Sequence, residues 1–514
     1  MEKIIAKKIN GVHWRTDEAS TFAPERLASA LAVKHSRVRD VFFLPAHESH
    51  PASVLKVYRA RGAGALARTL LLGSPAQREW NALRRLRSAG VNAPQPLALG
   101  TKPPFSSYLV TRRIESCATL EDLLLGKAPC PVAPKDLAEA CGRLIRSMHE
   151  AGVEHRDLHA ANLLVDPEGR PHVTDLHGAR LARTLSRRAR TRDLLSLAGA
   201  FLIHGSQRDR FRFFKAYSNA GQEEARRIEH LARERLFLFL RKFDRRCLRG
   251  GRNFQTLGIH ELTGMAERSD RALVLARSLG PYPVERLEER GQRLHTGAGT
   301  RVYAFQVDGN HYIVKSYRNP GAWEIVKRLF RGSKAQRCWL NYHKLIFRGL
   351  SIPKPVLFLE DPLGSPLGRS FVATEAADEH IMLDVFLDRA DRAALLTVLH
   401  RLAAAVARMH RLFLRNRDMK AQNILVSPSM ELLFIDPDGV ESMRDPYPYV
   451  LARDLMRINA SFTTSRPVSL ADRLRFLKRY MKHMGFPRSS LRELWRETVF
   501  LTWEKWERWK KTAK

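Results

Sequence analysis

Apolar positions along this chain follow two different periods, and the periods change in the same order twice. Val54-Leu-Lys-Val-Tyr58 is a short run rich in β-formers and Phe105 to Thr111 is another, so both predict strands. Between them, Pro75 to Arg87 predicts a helix. Leu137 to Ala151 then sets apolar residues at helical spacing, and a further β-rich stretch ends in Val173-Thr174-Asp175. In the second half the same succession runs through Tyr312 to Tyr317, Lys334 to Leu345, Phe371 to Thr374, Leu396 to Leu412 and Phe434-Ile435-Asp436. Strands come early and helices late in each half. That order predicts a small β-rich lobe followed by a larger helical one, an α+β architecture.

Residue identities repeat along with the pattern. Ala76-Gln-Arg-Glu-Trp80 returns as Ala335-Gln-Arg-Cys-Trp339, and Met148-His149 as Met409-His410. Pro94 and Pro96 return as Pro353 and Pro355, and Arg192-Asp-Leu194 as Arg453-Asp-Leu455. Lys56 and Lys315 are 259 residues apart, as are Trp80 and Trp339. Asp157 and Asp418, Asn162 and Asn423, and Asp175 and Asp436 are each 261 apart. A register that drifts by two residues over so many markers indicates a duplicated domain, because the period is far too long for a solenoid repeat. The paired glycines and charges of Arg245 to Asn253 predict the junction, giving domains over 1–250 and 251–514.

Composition narrows the class. The 88 Lys and Arg against 53 Asp and Glu give a formal charge of +35, a field that attracts polyanions: nucleic acid, an anionic membrane surface, or phosphorylated substrates. No nucleic-acid-binding motif accompanies the charge, which argues against nucleic acid as a partner. Five cysteines without a CxxC pair argue against a disulfide scaffold or zinc site and fit a reducing, cytoplasmic compartment. The N-terminal residues are charged from the outset and lack the apolar core of a signal peptide. The longest apolar stretch, Leu194 to Ile203, is half of what a membrane span needs and predicts a buried helix.

The repeated polar residues form a chemical set. Phosphoryl transfer from ATP needs a cation on the α/β-phosphates, a group to orient that cation, oxygen ligands for Mg²⁺, and a carboxylate to accept the hydroxyl proton. In the first half Lys56 lies on a strand-like run with Glu79 on the next helix as its partner. Asp157, the candidate base, begins the D-x-x-x-x-N spacing that ends at Asn162, and Asp175 follows a strand. Asn162 and Asp175 are the candidate metal ligands. The second half repeats the order with Lys315, Asp418 as base, and Asn423 and Asp436 for metal. Thr296-Gly297-Ala-Gly299-Thr300 precedes its lysine strand as a short glycine-rich phosphate loop, where the first half has Lys34 to Asp40. Lys420, matched by His159, is placed to neutralise a transferring phosphoryl group.

His155-Arg-Asp-Leu-His-Ala-Ala-Asn162 resembles the catalytic loop of the protein-kinase-like superfamily. Asp175-Leu-His177, where most protein kinases carry D-F-G, makes the chain similar to the lipopolysaccharide core kinases, the Kdo and heptose kinase family. The resemblance spans most of 30–200 and, more loosely, 295–460. It implies two tandem bilobal protein-kinase-like domains, ATP and Mg²⁺ as cofactors, and a sugar hydroxyl of lipopolysaccharide inner core or a similar anionic glycolipid as acceptor. It further implies work at the cytoplasmic face of the inner membrane. A protein or small-molecule kinase, and a pseudokinase scaffold at the membrane, are the alternatives. One departure favours the latter for the second copy: Cys338 stands where Glu79 stands in the first. Glu324 is a substitute partner for Lys315 if the helix register differs.

Finally, Trp495, Val499, Trp503, Trp506 and Trp509 recur at helical spacing among basic residues. Such a helix suits an anionic bilayer interface. The competing expectation is that the stripe packs against the second domain.

Overall fold

Alternate residues are buried along the strand that carries each candidate lysine, and around that strand each half builds a sheet. The computed structural model describes residues 4–512 except 10, 18–29, 36–38, 48–49, 60–62, 103–105, 219–221, 298, 319–329, 363–364, 366–367, 447 and 465–467. The chain divides into two compact units, Met1–Leu236 and Phe237–Lys514. The division falls within a helix that ends at Asp244, just before the junction expected from the sequence.

Among the described residues of unit 1, seven strands form one antiparallel sheet in the order β1-β2-β6-β7-β5-β4-β3. They are β1 (Ile4–Ile9), β2 (Val12–Asp17), β3 (Leu31–Lys34), β4 (Arg39–Leu44), β5 (Ser53–Arg59), β6 (Pro96–Lys102) and β7 (Ser106–Arg112). Helix α1 (Ala63–Leu72) and helix α2 (Pro75–Ser88) follow β5. Helix α2 starts where the sequence tells it to. The Ser74 hydroxyl accepts from the Gln77 N–H at 3.1 Å, and Pro75 occupies the first turn, where a missing N–H removes no helical bond. Its buried face carries Ala76, Glu79, Trp80, Leu83 and Leu86, so a carboxylate lies in an otherwise apolar stripe.

The helical lobe of unit 1 contains α3 (Leu120–Leu124), α4 (Pro134–Glu150), α5 (Arg187–His204), α6 (Gln207–Tyr217) and, as far as Leu236, α7 (Gln222–Asp244). Short strands β8 (Ala118–Thr119), β9 (Val153–Glu154), β10 (Leu163–Val165), β11 (Pro171–Val173) and β12 (Arg180–Leu181) bear the connecting loops. Helices α4 and α6 approach closely because Gly142 has no side chain: a Cβ there would sit 2.4 Å from the Phe213 carbonyl oxygen. Leu137, Cys141, Ile145 and Met148 of α4 enter one core with Trp80 and Leu83 of α2 and Leu194 and Leu197 of α5. The apolar stretch Leu194 to Ile203 thus lies in a helix of the lobe, and no described helix is long and apolar enough to cross a membrane.

Unit 2 repeats the design. Strands β13 (Phe254–Ile259), β14 (Leu262–Glu267), β15 (Gln292–Gly297), β16 (Thr300–Val307), β17 (Asn310–Arg318), β18 (Pro355–Glu360) and β19 (Arg369–Glu375) take the order β13-β14-β18-β19-β17-β16-β15. The topology matches that of unit 1 strand for strand. Helices α8 (Asp270–Leu279) and α9 (Pro283–Arg290) precede β15, and α10 (Lys334–Phe347) is the counterpart of α2, capped in the same way by Ser333. Helices α11 (Leu383–Arg389), α12 (Arg392–Arg411), α13 (Pro448–Thr464), α14 (Leu470–Met484) and α15 (Leu491–Thr512) make the second lobe, with short strands β20 (Ile381–Met382), β21 (Leu414–Asn416), β22 (Ile424–Val426), β23 (Leu432–Phe434) and β24 (Val440–Ser442). Both copies are therefore α+β, a seven-stranded antiparallel sheet followed by a larger helical part, as expected.

Helix α15 packs in unit 2 mainly through residues outside the tryptophan stripe. Its buried line is Leu494, Thr498, Leu501 and Thr502. The two threonines can be buried because each donates its hydroxyl to the carbonyl four residues earlier, at 2.7 Å. Trp495 is partly buried against the core, whereas Val499, Phe500 and Trp503 are exposed.

Candidate functional site

In unit 1 the sheet and α2 bring a cation and a carboxylate together. Lys56, central in β5 between Val41 of β4 and Leu109 of β7, donates to Glu79 Oε1 at 2.5 Å. Tyr58, two residues on and therefore on the same face, donates to Glu79 Oε2 at 2.5 Å. Glu79 is 1% exposed, and these bonds are what make a buried carboxylate tolerable. Asp175 stands beside the pair, its Oδ1 3.9 Å from Lys56 Nζ. The same oxygen takes His177 Nδ1 at 2.8 Å and the Arg39 guanidinium. Burial opposes ionisation of Asp175, but His177, Lys56 and Arg39 outweigh it and hold the carboxyl well below the usual range. Its backbone is left-handed, φ 63° and ψ 53°, a conformation aspartate enters more readily than most residues.

The loop Asp157–Asn162 faces the same region through a hairpin. Strands β10 and β11 pair Leu163 with Val173, and the Thr174 N–H donates to the Asn162 carbonyl at 2.9 Å, so Asn162 and Asp175 sit at one end of that hairpin. The Asn162 amide donates to the Asp157 carbonyl at 2.9 Å, closing the loop and leaving the Asp157 carboxylate 64% exposed. His159 Nε2 is 3.8 Å from it. Asp175 and Asn162 present a carboxylate and an amide oxygen, the hard donors Mg²⁺ prefers. They are too few for a closed cage, and among the described residues no cluster of three or more His, Cys, Asp or Glu could hold a metal alone. Two protein oxygens completed by phosphate and water is the usual Mg²⁺ pattern, so the donor set fits that ion.

Unit 2 brings the matching residues together in a different arrangement. Cys338 of α10 is buried where Glu79 stands, and Lys315 instead donates to Asp436 Oδ1 at 2.9 Å. Burial works against ionisation of Asp436, and Lys315 overcomes it, lowering the carboxyl below its ordinary value. Tyr317, the counterpart of Tyr58, donates to the Asp438 carboxylate at 3.2 and 3.3 Å. Asp436 is extended, φ −122° and ψ 94°, where Asp175 is left-handed. The Asn423 amide donates to both the carbonyl (2.9 Å) and Oδ2 (2.8 Å) of Asp418, and Lys420 Nζ lies 3.4 Å from Asp418 Oδ2. Asp418 is correspondingly less open than Asp157, at 43% exposure.

Gly297 and Gly299 lie at the turn between β15 and β16, the strand next to Lys315, and Gly299 has φ +76°. The corresponding place in unit 1 is the β3–β4 connection, whose strand β4 opens with Arg39. Glu324, the substitute partner considered for Lys315, lies outside the described residues.

Sequence reasoning missed two buried carboxylates. Asp193 Oδ2 accepts from the His155 N–H at 2.7 Å and meets His149 Nε2 at 3.3 Å, while Oδ1 accepts from the Arg156 N–H at 2.8 Å. Asp454 does the same for Asn416 (2.9 Å) and His410 (3.3 Å). Their signal was present: Arg-Asp-Leu and Met-His are both repeat markers, and the structure joins them through these contacts.

Known proteins with similar sequences point the same way. The profile of the lipopolysaccharide kinase (Kdo/WaaP) family matches twice, over residues 32–217 and 284–480. The lipopolysaccharide core heptose(I) kinase WaaP of Pseudomonas aeruginosa is 31% identical over 194 residues, covering 34% of this chain and 72% of that protein. The WaaP of Escherichia coli is 34% identical over 157 residues, 28% of this chain and 59% of that one. A 3-deoxy-D-manno-octulosonic acid kinase of Stenotrophomonas maltophilia is 30% identical over 224 residues, 40% of this chain and 86% of its own length. Among solved structures, WaaP in complex with acyl carrier protein is 26% identical, covers 42% of this chain and 90% of that one, and superposes with a TM-score of 0.34.

Proposed function

The chain belongs to the lipopolysaccharide kinase (Kdo/WaaP) family, as two tandem copies of an ATP-dependent kinase domain, and from that premise we propose that it phosphorylates a sugar hydroxyl, Kdo or heptose, of the lipopolysaccharide inner core. The observation that carries the reading to particular residues is the buried Lys56–Glu79 pair at 2.5 Å beside Asp175. Lys56, held by Glu79, meets the α/β-phosphates of ATP. Asn162 and Asp175 would hold Mg²⁺, which would supply neutralisation of the phosphate charge. Asp157, with its carboxylate open to solvent, takes the proton of the sugar hydroxyl as that oxygen bonds to the γ-phosphorus and the bond to the β–γ bridging oxygen breaks. His159, close to Asp157, adds positive charge on the transferring group when protonated. Unit 1 carries the transfer in this reading, and Asp418 belongs to a copy whose lysine has changed partners.

The +35 charge draws such a protein to anionic lipid, and the exposed Val499, Phe500 and Trp503 of α15 supply an apolar contact beside it. Both favour a peripheral position at the cytoplasmic face of the inner membrane, where core glycolipid is accessible. The deciding experiment transfers ³²P from ATP to purified core glycolipid. Asp157→Asn is expected to abolish transfer in a folded chain, and Asp418→Asn to leave most of it; the reverse outcome would move catalysis to unit 2, and no transfer by the wild type would end the reading.

A further inference from the structure

Lys315, Tyr317 and Cys338 stand 259 residues after Lys56, Tyr58 and Glu79, and Asp438 stands 261 after His177. In unit 1 the acid is on the helix and the loop position is histidine. In unit 2 the helix position is a thiol and the loop position is the acid. We infer that Asp436 and Asp438 divide the work of Glu79, Asp436 holding Lys315 and Asp438 holding Tyr317 beside it, so that unit 2 is a second Mg-nucleotide site instead of a relic. The inference rests on the kinase reading above and extends it to a positioning residue in unit 2.

The contacts support an exchange of position, not a loss. A buried tyrosine hydroxyl and a buried ammonium each need an acceptor. Glu79 serves both in unit 1, whereas in unit 2 Asp436 serves Lys315 and Asp438 serves Tyr317. Position 177 is already near the tyrosine in unit 1, where the rings of Tyr58 and His177 are 6.0 Å apart. An acid placed there therefore needs little backbone movement to reach the hydroxyl. The loop that delivers it is tied down: Asn341 donates to the Pro437 carbonyl at 2.9 Å, and Tyr342 donates to the Ile435 carbonyl at 3.2 Å. Burial pushes the Cys338 thiol well up, so it stays neutral and leaves the acidic role to the loop. Asn423 and Asp436 keep the oxygen donors that Mg²⁺ would use, and the Asn423 carbonyl accepts from Ile435 N–H at 3.0 Å, as Asn162 accepts from Thr174.

Calorimetric titration of the full chain with Mg²⁺ and a non-hydrolysable ATP analogue tests this without relying on turnover. Wild type is expected to bind two equivalents, and Lys56→Ala one. In the Lys56→Ala background, Asp438→Asn is expected to weaken binding at least about tenfold, the loss of one charge-assisted contact. Adding Cys338→Glu to Asp438→Asn returns the carboxylate to the helix and is expected to restore affinity to within about threefold. A purely structural Asp438 would lower thermal stability and leave affinity unchanged, which overturns the inference. So does a Cys338→Glu/Asp438→Asn chain that melts like wild type without regaining affinity. If Asp438→Asn does not fold, Tyr317→Phe removes only the hydroxyl, and an unchanged affinity there overturns it equally. A Lys56→Ala chain that binds no nucleotide refutes the second site while leaving the glycolipid transfer assay on unit 1 untouched.

Discussion

Asp193 Oδ2 lies 2.7 Å from the backbone nitrogen of His155, and its other oxygen lies 2.8 Å from that of Arg156, so one carboxylate on α5 fixes the entry to the Asp157 loop. Arg156 is left-handed there, with φ +68°. In unit 2 the equivalent nitrogen of Arg417 turns away and donates to the Gly439 carbonyl at 2.9 Å, and Asp454 Oδ1 has no partner among the described residues. The two copies thus hold corresponding loops by different bonds.

Removing Asp193 leaves two buried N–H donors and His149 short of an acceptor. Asp193→Ala is expected to destabilise unit 1 by roughly 3 kcal/mol, and Asp454→Ala to destabilise unit 2 by less, since it anchors one backbone N–H instead of two. Denaturant unfolding of each variant, followed by limited proteolysis of the two units, gives the comparison. Equal losses would mean that the second anchor at Arg156 contributes nothing.

Gly178 and Gly439, three residues after Asp175 and Asp436 respectively, make a matched pair. A Cβ on Gly439 would lie 2.6 Å from Asn416 Oδ1 and 2.8 Å from the backbone nitrogen of Asp418, whereas a Cβ on Gly178 would find its nearest neighbour at 3.9 Å. Gly439→Ala is therefore expected to displace the Asp418 loop and lower the melting temperature by several degrees, while Gly178→Ala changes it by less than about one degree. Similar melting curves for both would contradict the close packing.

How much of this was legible beforehand depends on what sets each feature. The strand under Lys56, helix α2 and the long helix α4 follow from local periodicity, and all three appear where the pattern puts them. The duplication was legible because identities recur in fixed register. The partner of Lys315 was not, because it depends on a loop conformation at Asp436 that no local propensity dictates. Nor was the buried line of α15. Threonines read as polar until their hydroxyls are seen bonded to their own helix, so of the residues that pack α15 the pattern pointed only to Trp495.

His155 carries a pH dependence. Its Nε2 must be protonated to donate to the Thr174 carbonyl at 2.9 Å, while Nδ1 is buried with no partner among the described residues. Burial lowers its pKa, against the opposing pull of Thr174 and Asp193. The unfolded chain therefore takes up a proton below about pH 6.5 that the folded chain resists, and the stability held above that pH is lost as pH falls. Unit 2 has Asn416 at this place, so His155→Asn is a natural replacement. It should flatten the decline of melting temperature between about pH 6.5 and 5. An unaltered slope would show that other groups set it.

Arg39 sits on the carboxylate proposed to hold Mg²⁺. Its guanidinium shares Asp175 Oδ1 with His177, the oxygen that also faces Lys56, so an arriving divalent cation competes with it for the same carboxylate. Arg39→Met keeps the length of the side chain and removes the charge. It is expected to lower the Mg²⁺ concentration for half-maximal nucleotide binding several-fold, read by titrating Mg²⁺ at fixed nucleotide. An increased requirement would instead make Arg39 a phosphate contact.

Helix α15 carries its buried residues and its exposed rings on different sides. Leu494, Thr498, Leu501 and Thr502 are buried, and Asn459 Nδ2 donates to the Thr502 hydroxyl at 2.9 Å. Leu501→Ala should cost roughly 2–4 kcal/mol of unit 2 stability, and deleting the helix should expose its core. Phe500 and Trp503 lie on the open side, their rings 6.2 Å apart. Phe500→Gln with Trp503→Gln should leave the melting temperature within about one degree of wild type, because neither ring is part of the core. The same pair should weaken flotation with phosphatidylglycerol vesicles several-fold. Raising the salt concentration should weaken flotation further in both proteins, since the +35 charge contributes to attraction whether or not the rings insert. If the double variant floats as wild type does at every salt concentration, the exposed rings have no membrane role and charge alone accounts for binding.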